Sequence, residues 1–199
     1  MKKHQLIPVQ TAGNHLDIIE SREFLNEQAA IEFFEKVNLK LFDINNWHQV
    51  CRSTSSKFYL KSGKDLSSKQ TPEVGDFICI DIPGPSTLSG KGYDWVKIEA
   101  ISKETNNAGE VIAMTVRPHS NPTKDLKNIA HFFTEDSTST FMITRQNNFV
   151  TAEVHGRNEI SNLKTSVFSD NLRNRMVSWG AVIGLSYPQW KSLALGLVK

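Results

Sequence analysis

Phe33-Phe34-Glu35-Lys36-Val37-Asn38-Leu39-Lys40-Leu41-Phe42-Asp43-Ile44-Asn45-Asn46-Trp47-His48-Gln49-Val50 is the stretch that decides the fold. Taken with the residues before it, Ile31, Phe34, Val37 and Leu41 recur at helical spacing, so one side of a helix is apolar. Asn26 stands where an N-cap belongs, and Glu27 falls in the first turn. Asp43 or Asn45 can cap a second short helix carrying Trp47 and Val50. A helix, a break and a helix therefore come first. Beyond them, to about residue 156, the apolar period changes from helical to alternating.

The alternating block reads as consecutive strands. Lys57–Lys61 is short. Phe77–Ile82 is halted by Pro83-Gly84-Pro85, because proline brings no amide to a ladder. Tyr93–Ile101 puts Val96, Ile98 and Ala100 on one face and Trp95, Lys97 and Glu99 on the other. Asn106-Asn107-Ala108-Gly109 turns the chain into Val111–Arg117. Ser139–Arg145 and Phe149–His155 flank Gln146-Asn147-Asn148, a hairpin loop. A further strand is expected around His15–Glu20, and a short one at Ala130–Phe133. Past residue 160 the tail is helical again. Ser169 or Asp170 caps a stripe of Leu172, Met176, Trp179 and Ile183. Gly184 interrupts it, and Ser186-Tyr187-Pro188-Gln189 starts a last helix with Trp190, Leu193, Leu195 and Leu197. Helices on both sides of one strand block predict an α+β domain whose antiparallel sheet packs on helices.

This order resembles the START-like (SRPBCC) helix-grip domains. These have a first strand, two short helices, a run of antiparallel strands and a long C-terminal helix. In many members a helix with an apolar face runs into a short Asp-containing break and then a Trp, as residues 33–50 do here. The resemblance implies a curved antiparallel sheet packed on a C-terminal helix, with a ligand cavity between them. It carries over no catalytic residues. Two features depart from the pattern: Gly184 splits the tail, and the connection at 83–92 is longer than a tight turn.

Composition narrows the partners. The chain has 199 residues, enough for one domain with a real core, and residues 185–199 are expected as an appended C-terminal helix. A net charge of +2, with both signs intermixed, does not supply the basic face of a nucleic-acid binder. No apolar run approaches a membrane span, and the basic start lacks the apolar core of a signal peptide. Cys51 and Cys79 provide no disulfide framework, so a reducing, cytoplasmic setting is expected.

Chemical motifs are sparse. Gly84 to Gly92 has glycines after a strand, but five residues rather than four separate Gly84 from Gly90, and Gly92 stands where a phosphate loop needs a hydroxyl. A flexible connection, or a flap over a pocket, suits it better. None of the six histidines has metal-ligand spacing, so neither a metal nor another cofactor is expected. His48 and Cys51, three apart, could share a helix face as a thiol–imidazole pair, but nothing nearby forms an oxyanion hole. The densest polar cluster is His155-Gly156-Arg157-Asn158-Glu159, where a proton donor, an anion-binding guanidinium and a carboxylate converge. Its plainer reading is a strand-end turn, with Gly156 making the bend and Asn158 starting the tail.

The reading that follows is binding of a small, mostly apolar or amphipathic molecule between sheet and helix. His155, Arg157 and Glu159 would form its polar end, and Trp95, Trp179 and Phe141 its walls. Two alternatives stand beside it. One is an enzyme in the same cavity with His155 or Glu159 as acid or base. The other is an interaction module, including a homodimer, using the sheet face or the tail.

Overall fold

The computed structural model describes residues 5–51, 56–82, 88–106, 109–124, 128–163 and 186–199. The tail stripe at 169–183 with Trp179, the break at Gly184 and the Pro83–Thr87 part of the glycine-containing connection lie outside them.

Seven strands form one antiparallel sheet: β1 (Asn14–Glu23), β2 (Lys57–Lys61), β3 (Phe77–Asp81), β4 (Asp94–Asn106), β5 (Gly109–Pro118), β6 (Thr138–Gln146) and β7 (Phe149–Glu159). Their spatial order is β1-β7-β6-β5-β4-β3-β2. Strands β1 and β2 follow one another in sequence yet sit at opposite edges. The chain between them must cross the full width of the sheet, and it does so as α1 (Glu27–Phe42), a 3₁₀ turn (Ile44–Asn46) and α2 (Trp47–Val50). The C-terminal helix α3 (Ser186–Leu197) packs on β1 and β7 and touches α1 and α2. The fold is thus the expected α+β class, a curved antiparallel sheet on a C-terminal helix with helices near the N-terminus.

Local chemistry sets these elements. The Asn26 side chain accepts the Ala29 amide at 2.9 Å and starts α1, and Ala30, Phe34, Val37, Asn38 and Leu41 form its buried stripe. Asp43 ends the helix, and its carboxylate binds the Asn46 amide at 3.0 Å, holding the break that turns Trp47 inward. The helix-covered face of the sheet carries Ile18, Phe58, Leu60, Ile78, Val96, Ile98, Met114, Phe141, Ile143, Val150, Ala152 and Val154. They meet Trp47 and the α3 residues Leu193, Ala194 and Leu197 in one core.

Two bulges alter the expected strands. The register of β4 against β5 shifts between Ile98 and Ala100, so an extra residue at Glu99 turns Ala100 to the outer face and gives the inward position to Ile101. The single alternation predicted for Tyr93–Ile101 therefore holds only as far as Ile98. In β7 the register against β1 shifts between Asn14 and Leu16, where Asn158 sits in the left-handed region at φ 55°. This bulge absorbs Gly156 and Asn158 without ending the strand. Residues 155–159 continue the sheet, where the sequence suggested a turn into the tail.

Candidate functional site

The two faces of the sheet carry different chemistry. On the helix-covered face, four rings meet where α2 and α3 close on the strands. Trp47 lies 4.7 Å from Phe141 and 5.3 Å from Phe58, and Trp190 lies 5.1 Å from Phe141 and 5.9 Å from Phe58, between ring centroids. The Trp47 indole donates to the Leu41 carbonyl at 2.9 Å, so the one polar atom of the buried ring is paired inside the α1–α2 break. Trp47, Phe58 and Phe141 are buried, whereas Trp190, in the first turns of α3, remains half-buried. Near it, Gln189 accepts from Ser56 Oγ at 3.1 Å through Oε1, and its carbonyl oxygen lies 3.9 Å from Cys51 Sγ.

The outer face holds an ion cluster. His155 stands opposite Asp17 on β1 and Thr140 on β6, and Glu153 is two residues along the same face. Asp17 Oδ1 lies 2.5 Å from His155 Nδ1, and Glu153 Oε2 lies 3.2 Å from Nε2. With a carboxylate against each ring nitrogen, both nitrogens donate when the ring is the imidazolium. Burial alone would depress the His155 pKa; the bonds to Glu153 and Asp17 outweigh it, and the value rises above the ordinary 6.5. Burial opposes ionisation of Asp17 as well, but hydrogen bonds from His155 and Arg157 hold its pKa below the ordinary 3.8. Arg157 Nη2 donates to Asp17 at 2.7 Å, and its Nη1 binds the carbonyls of Gly156 and Leu16. Thr144 donates to Glu153 at 3.2 Å, and the Thr115 and Thr140 hydroxyls bond each other at 3.0 Å.

The segment ahead of β1 is tied across this outer face. Leu6 and Ile7 pack on Val111, Ala113 and Met142. Asn158 Oδ1 accepts from the Thr11 and Ala12 amides at 2.7 and 3.1 Å, its Nδ2 donates to the Val9 carbonyl, and its own amide donates to Gln10 Oε1. Gly13 has no room for a side chain, since a Cβ there would lie 2.9 Å from the Glu159 carbonyl oxygen. Glu159 is half-buried beside this crossing, and burial lifts its carboxyl to about 7 although the Arg157 charge pulls it down.

The residues singled out in the sequence therefore separate. Phe141 lies in the helix-covered core. His155 and Arg157 lie on the outer face, joined through Asp17, with Glu159 close by along β7. Trp95 is also on the outer face, but at the other end, packed with Phe77, Cys79 and Ala130 and donating from its indole to the Gly90 carbonyl at 3.2 Å. Burial pushes the Cys79 thiol there up to about 12, which leaves it inert as a nucleophile. Phe141 shares its space with neither Trp95 nor the His155 cluster. Asp17 and Glu153, the partners of His155, were not marked by any local motif. Glu153 follows from alternation along β7, two residues before His155, whereas Asp17 emerges only from the pairing of β1 with β7, which sets it against His155.

This arrangement is that of a helix-grip-like α+β domain: an antiparallel sheet with one face closed by a C-terminal helix and an N-terminal helix pair. No family model matches the chain, and no curated protein matches it. Among solved structures, a hypothetical protein of Helicobacter pylori is 12% identical over 94% of this chain and 87% of its own, with a TM-score of 0.49. A protein from Arthrobacter aurescens is 8% identical over 92% and 86%, with a TM-score of 0.40. The major latex-like protein 151 of Panax ginseng is 12% identical over 85% and 98%, with a TM-score of 0.34. Among the described residues, no helix is long and apolar enough to cross a membrane.

Proposed function

We propose that this protein binds a small, mostly apolar molecule on the helix-covered side of its sheet. The observation that carries this reading is Trp190. It is a large ring in the first turns of α3, only half-buried, and it bears on the fully enclosed Phe58 and Phe141. An aromatic cluster that reaches from the core to the surface at one helix end offers an apolar guest a path and a wall. Beside it the Gln189 side chain accepts from the buried Ser56 hydroxyl.

The outer face supports a structural role in preference to the acid–base one. Both nitrogens of His155 are engaged by carboxylates, which favour the protonated ring, in an ion cluster that ties β1 to β7. A general base needs a free, neutral nitrogen at the working pH.

Titration with 1-anilinonaphthalene-8-sulfonate, read by energy transfer from tryptophan, tests the binding reading. Saturable binding of one probe per chain is expected, displaced by apolar molecules and weakened by Trp190→Ala. Absence of saturable binding to the folded protein overturns it.

A further inference from the structure

Asn38 is an amide in an apolar stripe. It follows Phe34 by one helical turn and precedes Leu41 by another, and it is 6% exposed. Neither its Oδ1 nor its Nδ2 has a hydrogen-bond partner among the described residues. Helix α1 packs on β6 and β7, whose central inward side chains are Phe141, Ile143, Val150, Ala152 and Val154, none with a polar atom; the polar inward residue of β6, Arg145, is bonded to Glu27 at the other end of the helix and to Glu110. The interior carbonyls of α1 are already bonded within the helix. Buried amides in folded proteins are almost always bonded, because an unmet donor and acceptor retain the full penalty of leaving water. A guest group carrying its own donor and acceptor would meet both demands of Asn38.

We infer that Asn38 is the polar anchor for the bound molecule. This rests on the reading of the helix-covered face as the binding side. An asparagine amide offers an acceptor and a donor next to each other. The complement is a group with the same pair side by side: a primary carboxamide, a lactam or a protonated carboxyl. The ligand class is thus an apolar body bearing one such group. A carboxylate anion does not fit: Lys36 and Lys40 on α1 are exposed, and the buried cation of this face, Arg145 on β6, is already paired with Glu27 and Glu110. The same site accounts for an otherwise costly polar residue in the middle of a packing stripe, where leucine would stabilise the empty protein.

Two matched probe pairs test the anchor. Benzamide is compared with isopropenylbenzene, and octanamide with 2-methyl-1-nonene; each hydrocarbon copies its amide in shape and lacks only the hydrogen-bonding atoms. Dissociation constants are read from tryptophan fluorescence for the wild type and for Asn38→Leu, with Asn38→Ala as a second variant if the first does not fold. The wild type is expected to prefer the amide of at least one pair by about tenfold or more. Asn38→Leu is expected to abolish that preference while still binding the hydrocarbon. Equal affinity for amide and hydrocarbon in the wild type, or a preference that survives in the variants, overturns the anchor and leaves the binding side standing; water alone would then satisfy Asn38. Failure of all four probes, together with failure of the sulfonate probe, overturns the binding side and the anchor with it.

Discussion

The two faces of one sheet solve burial in opposite ways. The helix-covered face is largely apolar from Ile18 on β1 to Phe58 on β2 and is closed by α1, α2 and α3; its one buried ion group among the described residues is Arg145, held by Glu110 on β5 and Glu27 on α1 at the start of that helix. The outer face buries Glu153, His155, Thr115, Thr140 and Thr144, and meets their polar demands with one another, although the Thr138 hydroxyl beside them has no partner among the described residues. Burial is therefore a poor guide to function in this fold. The most conspicuous titratable cluster, around His155, is occupied in holding β1 against β7. On the plain apolar side, one amide at Asn38 lacks a partner, and one tryptophan at 190 reaches the surface.

Removal of a core ring should show the largest difference between the faces. Phe141→Ala takes away the contact with both Trp47 and Trp190, and a loss of about 3–5 kcal/mol in unfolding free energy is expected for a truncated buried phenylalanine. Denaturant titration reads it. A loss under about 1 kcal/mol would mean that the ring borders open space and not packed neighbours.

The outer face should respond differently to single and paired changes. His155→Ala leaves the buried Glu153 carboxylate without its imidazolium, and a loss of about 3 kcal/mol is expected. Replacing both residues, His155→Leu with Glu153→Leu, removes the charge along with its partner and should cost less than the single change. If the double variant is the worse of the two, the cluster contributes net stability beyond mutual compensation, and the contrast between the faces weakens.

Acidity gives a smaller effect with a definite sign. The His155 pKa is raised above 6.5, so its stabilisation is complete below 6.5 and is lost as pH rises through the folded value. Glu159 titrates near 7 in the folded chain against 4.5 unfolded, so it too lowers stability as pH climbs from 4.5 to 7. The Asp17 pKa is lowered below 3.8, so its contribution is present above 3.8 and fades as pH falls through the folded value. From these groups, stability should be greatest at about pH 4–5 and decline toward pH 8. Thermal unfolding across that range checks it. Glu159→Gln should flatten the slope between 4.5 and 7, and His155→Ala the slope above 6.5.

Much of the architecture was legible because helix and strand periods differ so clearly here. Asn26 and the stripe from Phe34 to Leu41 predict α1, and Asn147-Asn148 predicts the β6–β7 hairpin. What escaped was parity. Alternation within one strand says which residues share a face, but only pairing between strands says which faces coincide. Phe141 and His155 were thus grouped into one pocket when the register sets them on opposite sides. The bulge at Glu99 broke alternation with no glycine to mark it. Asn158 hid the second bulge, because an asparagine after a glycine reads equally well as a turn. Asn38 was visible as a polar residue on an apolar stripe, yet its lack of a partner is a fact of packing that no spacing reveals.

The central claim is that the helix-covered side holds a small apolar molecule, and native mass spectrometry of the protein purified from its host tests it most directly. The account predicts a species heavier than the polypeptide by the mass of one small molecule, which is released on denaturation and extracts into organic solvent. A single species at the mass of the bare chain, from protein that also takes up none of the probes, would contradict it.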